Sequence, residues 1–295
     1  PHEGRVLMFQ PHNIQVAPDG KSVWVTANVG GHQAHTSFIP QAKAHGDGES
    51  LLDEPDEVVV IDPSKDRIIK RIPIGVGFHL AHVVLTPDSS FAYITAQQKG
   101  VIIKVNAKTL EVVNEIQAPP QSEPHGIRVA PDGSKAYVAV LKGKGIGILD
   151  LATDAFNVVP VNGQAVQAGI TPDGKVVVAS LYDTKKLAVY DTGSKSVRYV
   201  DLPSEAKGPI QMYQTPDSRY SYVADQGYYF EQPVGEMVYK IDLVEGSVIK
   251  EIKTGSAPHG VVVAKDGKMV YVTNLLSGDV SFIDTVTDQE ISRVK

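Results

Sequence analysis

One marker, returning six times, constrains this chain more than anything else in it. A turn aspartate stands at Asp19, Asp88, Asp132, Asp173, Asp217 and Asp266. An aspartate or asparagine follows each, at Asp62, Asn106, Asp150, Asp191, Asp242 and Asp284. In four units the two markers lie 18 residues apart; in the first and fifth they lie 43 and 25 apart. Those two units therefore carry insertions of 25 and 7 residues at the same place. The clearest unit opens at Gly255. Runs at 260–264, 269–273 and 280–284 are rich in Val, Ile, Tyr and Thr and read as strands, with 289–294 as an outer fourth. Lys265-Asp266-Gly267-Lys268 is a tight turn, because glycine reaches positive φ without a steric cost.

One four-stranded unit cannot bury both faces of its sheet, so each needs neighbours. A period of about 40–45 residues made only of strands is the signature of a β-propeller, one blade per repeat. The expected architecture is all-β: a single propeller domain with blades at 12–74, 80–118, 124–162, 166–202, 209–254 and 258–295, and an insertion at 29–57 in the first. Six blades are visible, with seven as an open alternative. Residues 5–9 form a further strand candidate. No segment has helical periodicity. Gly143-Lys-Gly145-Ile-Gly147 has the look of a phosphate loop but runs into a strand rather than a helix, and reads as a turn.

Tyr271-Val272-Thr273-Asn274, with Pro258-His259-Gly260 before it and Val280-Ser-Phe-Ile-Asp284 after it, resembles the YVTN-type propeller repeat family. Weaker copies are Trp24-Val25-Thr26-Ala27-Asn28, Tyr93-Ile94-Thr95-Ala96, Tyr137-Val138-Ala139-Val140, Val177-Val178-Ala179-Ser180 and Tyr222-Val223-Ala224-Asp225. That family includes surface-layer and exported proteins, so the resemblance implies a periplasmic, extracellular or cell-surface location. The start at Pro1 fits a removed signal peptide. The motif specifies architecture and says little about chemistry.

Composition narrows the partners. Lys plus Arg number 28 and Asp plus Glu 34, a net charge of −6, which disfavours a general nucleic-acid or anionic-membrane binder. There is no cysteine, hence no disulfide, thiolate metal site or c-type haem attachment. No apolar run is long enough for a transmembrane helix.

Chemistry, if present, is expected among the histidines. In a propeller the loop entering each inner strand and the loop joining its second and third strands emerge on one face. His2, His12, His79, His82, His125 and His259 lie at inner-strand starts, and His32, His35 and His45 in the first insertion. All nine are expected on that face, several at a channel mouth. Histidine without thiolate suits copper, zinc or nickel, so His12, His79, His82, His125, His259, His32 and His35 are candidate metal ligands, for copper or zinc first. A redox role would need an electron-transfer partner. Pro-His-Gly is also a common variant of the repeat, and polar loop histidines explain the pattern equally. The acidic insertion residues Asp47, Glu49, Asp53, Glu54, Asp56 and Glu57 supply oxygens of the kind calcium or magnesium takes, or form a solvated loop. Tyr228, Tyr229, Phe230 and Asp225 in the second insertion are candidate ligand-binding residues, with ordinary packing as the alternative. Trp24 reads as core. The expected function is a binding propeller that takes copper or zinc, with oxidoreductase chemistry in view; the alternative is a non-catalytic interaction or structural surface protein with an unidentified protein or small-molecule partner.

Overall fold

The computed structural model describes residues 9–29, 54–229 and 232–295. Among them are 24 strands in six four-stranded sheets, each pairing its strands in chain order. The first sheet is β1 (Phe9–Val16), β2 (Val23–Val29), β3 (Asp56–Asp62) and β4 (Arg67–Gly75), and the second β5 (Leu80–Leu85), β6 (Phe91–Ala96), β7 (Val101–Asn106) and β8 (Glu111–Gln117). The third is β9 (Pro124–Val129), β10 (Lys135–Val140), β11 (Gly145–Asp150) and β12 (Phe156–Pro160), and the fourth β13 (Ala165–Ile170), β14 (Val176–Leu181), β15 (Lys186–Asp191) and β16 (Val197–Asp201). The fifth is β17 (Pro209–Gln214), β18 (Tyr220–Gly227), β19 (Val234–Asp242) and β20 (Ser247–Lys253), and the sixth β21 (Pro258–Val263), β22 (Met269–Asn274), β23 (Asp279–Asp284) and β24 (Gln289–Val294). Strand β1 begins earlier than the sequence indicates; of the separate candidate at 5–9 only Phe9 is among the described residues.

The chain forms two compact units, Pro1–His125 and Gly126–Lys295. In the first, Trp24, Leu80, Ile94 and Ile103 are fully buried in one apolar cluster, and Trp24 donates its Nε1–H to Ser22 Oγ at 2.9 Å. Each such Leu or Ile stabilises the fold by about 1.5–3 kcal/mol through burial alone. In the second, three clusters centre on residues such as Tyr222, Ala179 and Tyr239. No helix among the described residues is long and apolar enough to cross a membrane.

Both markers of the repeat are turn-builders. The first accepts an amide two residues on, as in Lys21 N to Asp19 Oδ1 at 2.9 Å and Lys268 N to Asp266 Oδ1 at 3.1 Å. The residue between sits at positive φ: Gly20 at 71° and Gly267 at 72°, but Ser89 at 55° and Ser218 at 63°. These serines have a second task. Ser89 Oγ accepts the amide of Asp19 at 3.1 Å, and Ser218 Oγ that of Asp173 at 3.0 Å, each linking its turn to the turn of the preceding sheet. The second marker caps the turn after the third strand: Asp191 Oδ1 accepts from Gly193 N at 3.0 Å and Ser194 N at 2.7 Å.

The first strands are irregular, and here the sequence acquires function. Leu80 pairs with Ala96 but Val83 with Ile94, so β5 carries one residue more than its partner; β13, β17 and β21 repeat this, and β1 shifts between Pro11 and Asn13. Such a bulge re-aims the side chains within it. A second-strand hydroxyl satisfies the freed amide: Asn13 N to Thr26 at 2.9 Å, His82 N to Thr95 at 2.9 Å, Gln167 N to Ser180 at 3.1 Å and Gly260 N to Thr273 at 2.8 Å. Three of these hydroxyls then donate to a carbonyl on the next first strand, Thr26 to Ala81 at 2.9 Å, Thr95 to His125 at 2.6 Å and Ser180 to Ile210 at 2.6 Å. The threonine of Tyr271-Val272-Thr273-Asn274 thus occupies a structural position. Pairing of Ala168 with Ala179 puts Ser180 in that position, one place from where the sequence alignment set it.

Candidate functional site

The first unit gathers four imidazoles. His12 stands at the irregularity of β1, His82 in the bulge of β5, His79 immediately before β5 and His125 second in β9. The His12 ring centroid lies 5.9 Å from that of His79, 5.7 Å from His82 and 5.4 Å from His125, and His82 and His125 are 5.2 Å apart. All four contacts are edge-on. His82 is fully buried, the others half-buried.

Main-chain bonds hold the bases of three rings, those of His79, His82 and His125. His79, at φ 51°, donates its amide to Asp56 Oδ2 at 2.8 Å, while Asp56 Oδ1 takes the amide of Val29 at 2.9 Å. Asn28 exchanges two bonds with Leu80, 2.7 and 3.0 Å long. Thr95 ties the amide of His82 to the carbonyl of His125. The sequence offered Asp56 and Glu57 as cation-binding oxygens; both oxygens of Asp56 serve the backbone, and Glu57 pairs with Arg71.

The protonation state follows from the contacts. His12 Nδ1 lies 2.9 Å from the carbonyl oxygen of Ala81, which can only accept, so Nδ1 carries the hydrogen and Nε2 keeps its lone pair. Burial, then the proximity of His125 and His79, pushes the pKa of His12 down to about 3. His12 is neutral at neutral pH, with Nε2 able to accept a proton or bind a cation. A ligating histidine commonly donates its other N–H to a carbonyl in this way. As the rings stand, no group of three His, Cys, Asp or Glu among the described residues is placed to hold a metal ion.

His32, His35 and Phe230, with His2 and His45, lie outside the described residues. His259 is in the second unit, in the bulge of β21, with Gln226 Nε2 2.8 Å from its Nδ1 and Gln211 Nε2 3.4 Å from its Nε2. Tyr229 approaches it edge-on at 6.2 Å, and Tyr228 packs on Tyr229 at 5.6 Å. Asp225 is buried, and its oxygens accept the amides of Lys207 at 2.9 Å and Gly208 at 2.6 Å and the hydroxyl of Tyr239 at 3.4 Å. Burial raises its pKa against the pull of those amides. Asp225 anchors the entry to β17 much as Asp56 anchors the entry to β5. The sequence reading passed over Asp56 as an anchor, Thr95 and the glutamines. The recurrence of Thr or Ser on the second strands, at Thr26, Thr95, Ser180 and Thr273, was the available signal.

Comparison with known proteins supports the fold. No family model matches the chain. It is 28% identical over 106 residues to the uncharacterized protein YncE of Salmonella typhimurium strain LT2, and equally to that of Salmonella typhi; the match covers 36% of this chain and 26% of each relative. The chain therefore aligns with about a quarter of the length of the curated relatives it matches. Among solved structures it is similar to Kuenenia stuttgartiensis hydrazine synthase, with a TM-score of 0.77 and 20% identity over 100% of this chain and 88% of that one. It is also similar to a catalytically inactive variant of Staphylococcus aureus virginiamycin B lyase with quinupristin, with a TM-score of 0.73 and 16% identity over 95% and 84% of the two chains. The fold class is an all-β propeller of four-stranded blades, six of them described. At these identities the likeness concerns fold alone.

Proposed function

We propose that this is an exported propeller whose first unit binds a transition-metal ion, copper or zinc, through His12, His79, His82 and His125. The observation that carries the reading is the bond from His12 Nδ1 to Ala81 O, which leaves Nε2 as a lone-pair donor on a ring whose centroid has three further imidazole centroids within 5.9 Å. Neutral imidazoles are borderline-soft ligands, and the chain has no thiolate to compete with them. Binding would require the rings of His79, His82 and His125 to turn about their side-chain torsions toward Nε2 of His12. Export rests on the YVTN resemblance.

The test is metal content and calorimetric titration on tag-free protein with copper(II) and with zinc(II). One ion per chain is expected, lost in the variant His12→Ala with His125→Ala and retained in His259→Ala. Wild-type protein that takes up neither metal stoichiometrically, or a His259→Ala variant that alone abolishes uptake, would overturn the assignment.

A further inference from the structure

Arg128 in β9 is a half-buried cation whose partners in the second unit are neutral. Its Nη1 donates to the carbonyl of Ile127 at 2.9 Å. With the Gln167 amide turned so that its oxygen faces the guanidinium, Oε1 accepts from Nη1 at 3.2 Å and Nη2 at 3.1 Å. Gln167 is fully buried. Its backbone comes so close to Gly126 that a Cβ there would stand 2.7 Å from the Gln167 Cα, so glycine is what admits this arrangement. Among the described residues no carboxylate acts on Arg128; the one titratable side chain that does is the Tyr213 phenol.

A guanidinium has five N–H groups in a fixed fork. One Nη1–H goes to Ile127, and the end of the fork, one hydrogen from each Nη, goes to Gln167. What remains is the side edge, Nε–H and the outer Nη2–H, with no acceptor among the described residues. That edge matches the two oxygens of a carboxylate or phosphate, and a partly desolvated cation without a counter-charge strengthens such a pair. The equivalent positions on other first strands are Val84, Gly169, Tyr213 and Val262, so the repeat does not call for a charge there.

We infer that Arg128 is the anion-recognition group of a ligand site in the second unit, taking a small molecule that bears a carboxylate or phosphate through its Nε/Nη2 edge. Gln167 orients the fork.

The decisive experiment follows the Arg128 Nε–H signal by 15N NMR in wild-type protein, assigned by its loss in Arg128→Lys, while inorganic phosphate or acetate is added at constant ionic strength. A saturable shift with either anion supports the inference. Response to phosphate alone assigns a phosphate ester as the ligand class, response to acetate alone a carboxylate, and response to both a general oxyanion site. Calorimetry should show affinity abolished in Arg128→Gln and reduced at least about tenfold in Arg128→Lys, which keeps the charge but loses the fork. An Nε–H signal unmoved by both anions would overturn the inference, as would unchanged affinity in Arg128→Lys. Loss of the signal in Arg128→Gln gives the same assignment, so the wild-type titration stands even if Arg128→Lys fails to fold.

Discussion

The imidazole of His12 in β1 is tied through its Nδ1–H to the carbonyl oxygen of Ala81 in β5, 2.9 Å away. The same carbonyl takes the Thr26 hydroxyl, also at 2.9 Å. One backbone oxygen on the second sheet thereby sets both the tautomer of a candidate ligand and the packing of the strand behind it. In metal-free protein His12 should stay neutral until far below its ordinary titration range, with a midpoint near pH 3 by histidine NMR. Its unfolded counterpart protonates near pH 6.5. Between those values the unfolded state binds more protons, so this group's contribution to stability is complete above pH 6.5 and lost as pH falls toward 3. Urea midpoints should decline over that window in wild type and less in His12→Ala. A His12 midpoint near 6.5 would contradict the buried, crowded environment.

Thr95 joins the main chain at His82 to the main chain at His125. Thr95→Val would leave a buried amide and carbonyl without that partner, at a cost of about 1–3 kcal/mol. Thr95→Ser keeps the hydroxyl and should recover most of the loss. Chemical denaturation of the pair checks this. A valine variant as stable as the serine variant would mean that the bond contributes no more than the methyl group.

The turn carboxylates give a second, more acidic leg to the stability profile. Bonds from the Ser64 hydroxyl and Lys65 hold Asp62 down to about 2, and bonds from Thr86 and Ser90 do the same for Asp88. A depressed folded-state pKa stabilises above the unfolded value, near about 4, and that stability disappears as pH drops toward 2. Melting temperatures should fall across this window. Asp62→Asn, which mimics the natural Asn106, should flatten part of the fall. A profile unchanged by that substitution would show these bonds to be absent in solution.

Ser89 and Ser218 trade backbone strain for a link between turns. Ser89→Gly relieves the left-handed conformation, worth about 1–2 kcal/mol in a non-glycine residue, while losing the bond to Asp19. Ser89→Ala keeps the strain and loses the bond. Glycine should therefore be the more stable of the two by about 1 kcal/mol, measured by urea denaturation. The reverse order would show that residue 89 is not held at positive φ.

Much of this fold was legible because its markers have local causes. Asp132 and Gly133 build a turn by themselves, and Val, Ile and Tyr alternate with their strands, so a reader of the sequence meets the same physics as the chain. The candidate site was legible only in outline. His12, His82 and His125 stand on three different first strands, and their approach depends on bulges that change register by one residue, which periodicity does not reveal. The slip at Ser180 has the same origin. Arg128 was missed because a lone arginine in a strand looks solvent-facing; only its place among Val84, Gly169 and Val262 marks it as unusual. Asp225 and Asp56 drew attention as carboxylates, whereas their partners are backbone amides that no sequence motif announces.

The bulges have an evolutionary corollary. At Asn13, His82, Gln167 and Gly260 the bond to the neighbouring hydroxyl is made by the main chain, so it survives whatever side chain the position bears. Three of these hydroxyls, on Thr26, Thr95 and Ser180, fasten adjacent blades through a main-chain carbonyl, and the side chain at the bulge is left for other bonds, as where Asn13 Oδ1 accepts the Val83 amide at 3.1 Å. Each first strand thus works as a fixed socket with an exchangeable insert. New chemistry can be written there one residue at a time, and selection on activity can proceed largely apart from selection on folding.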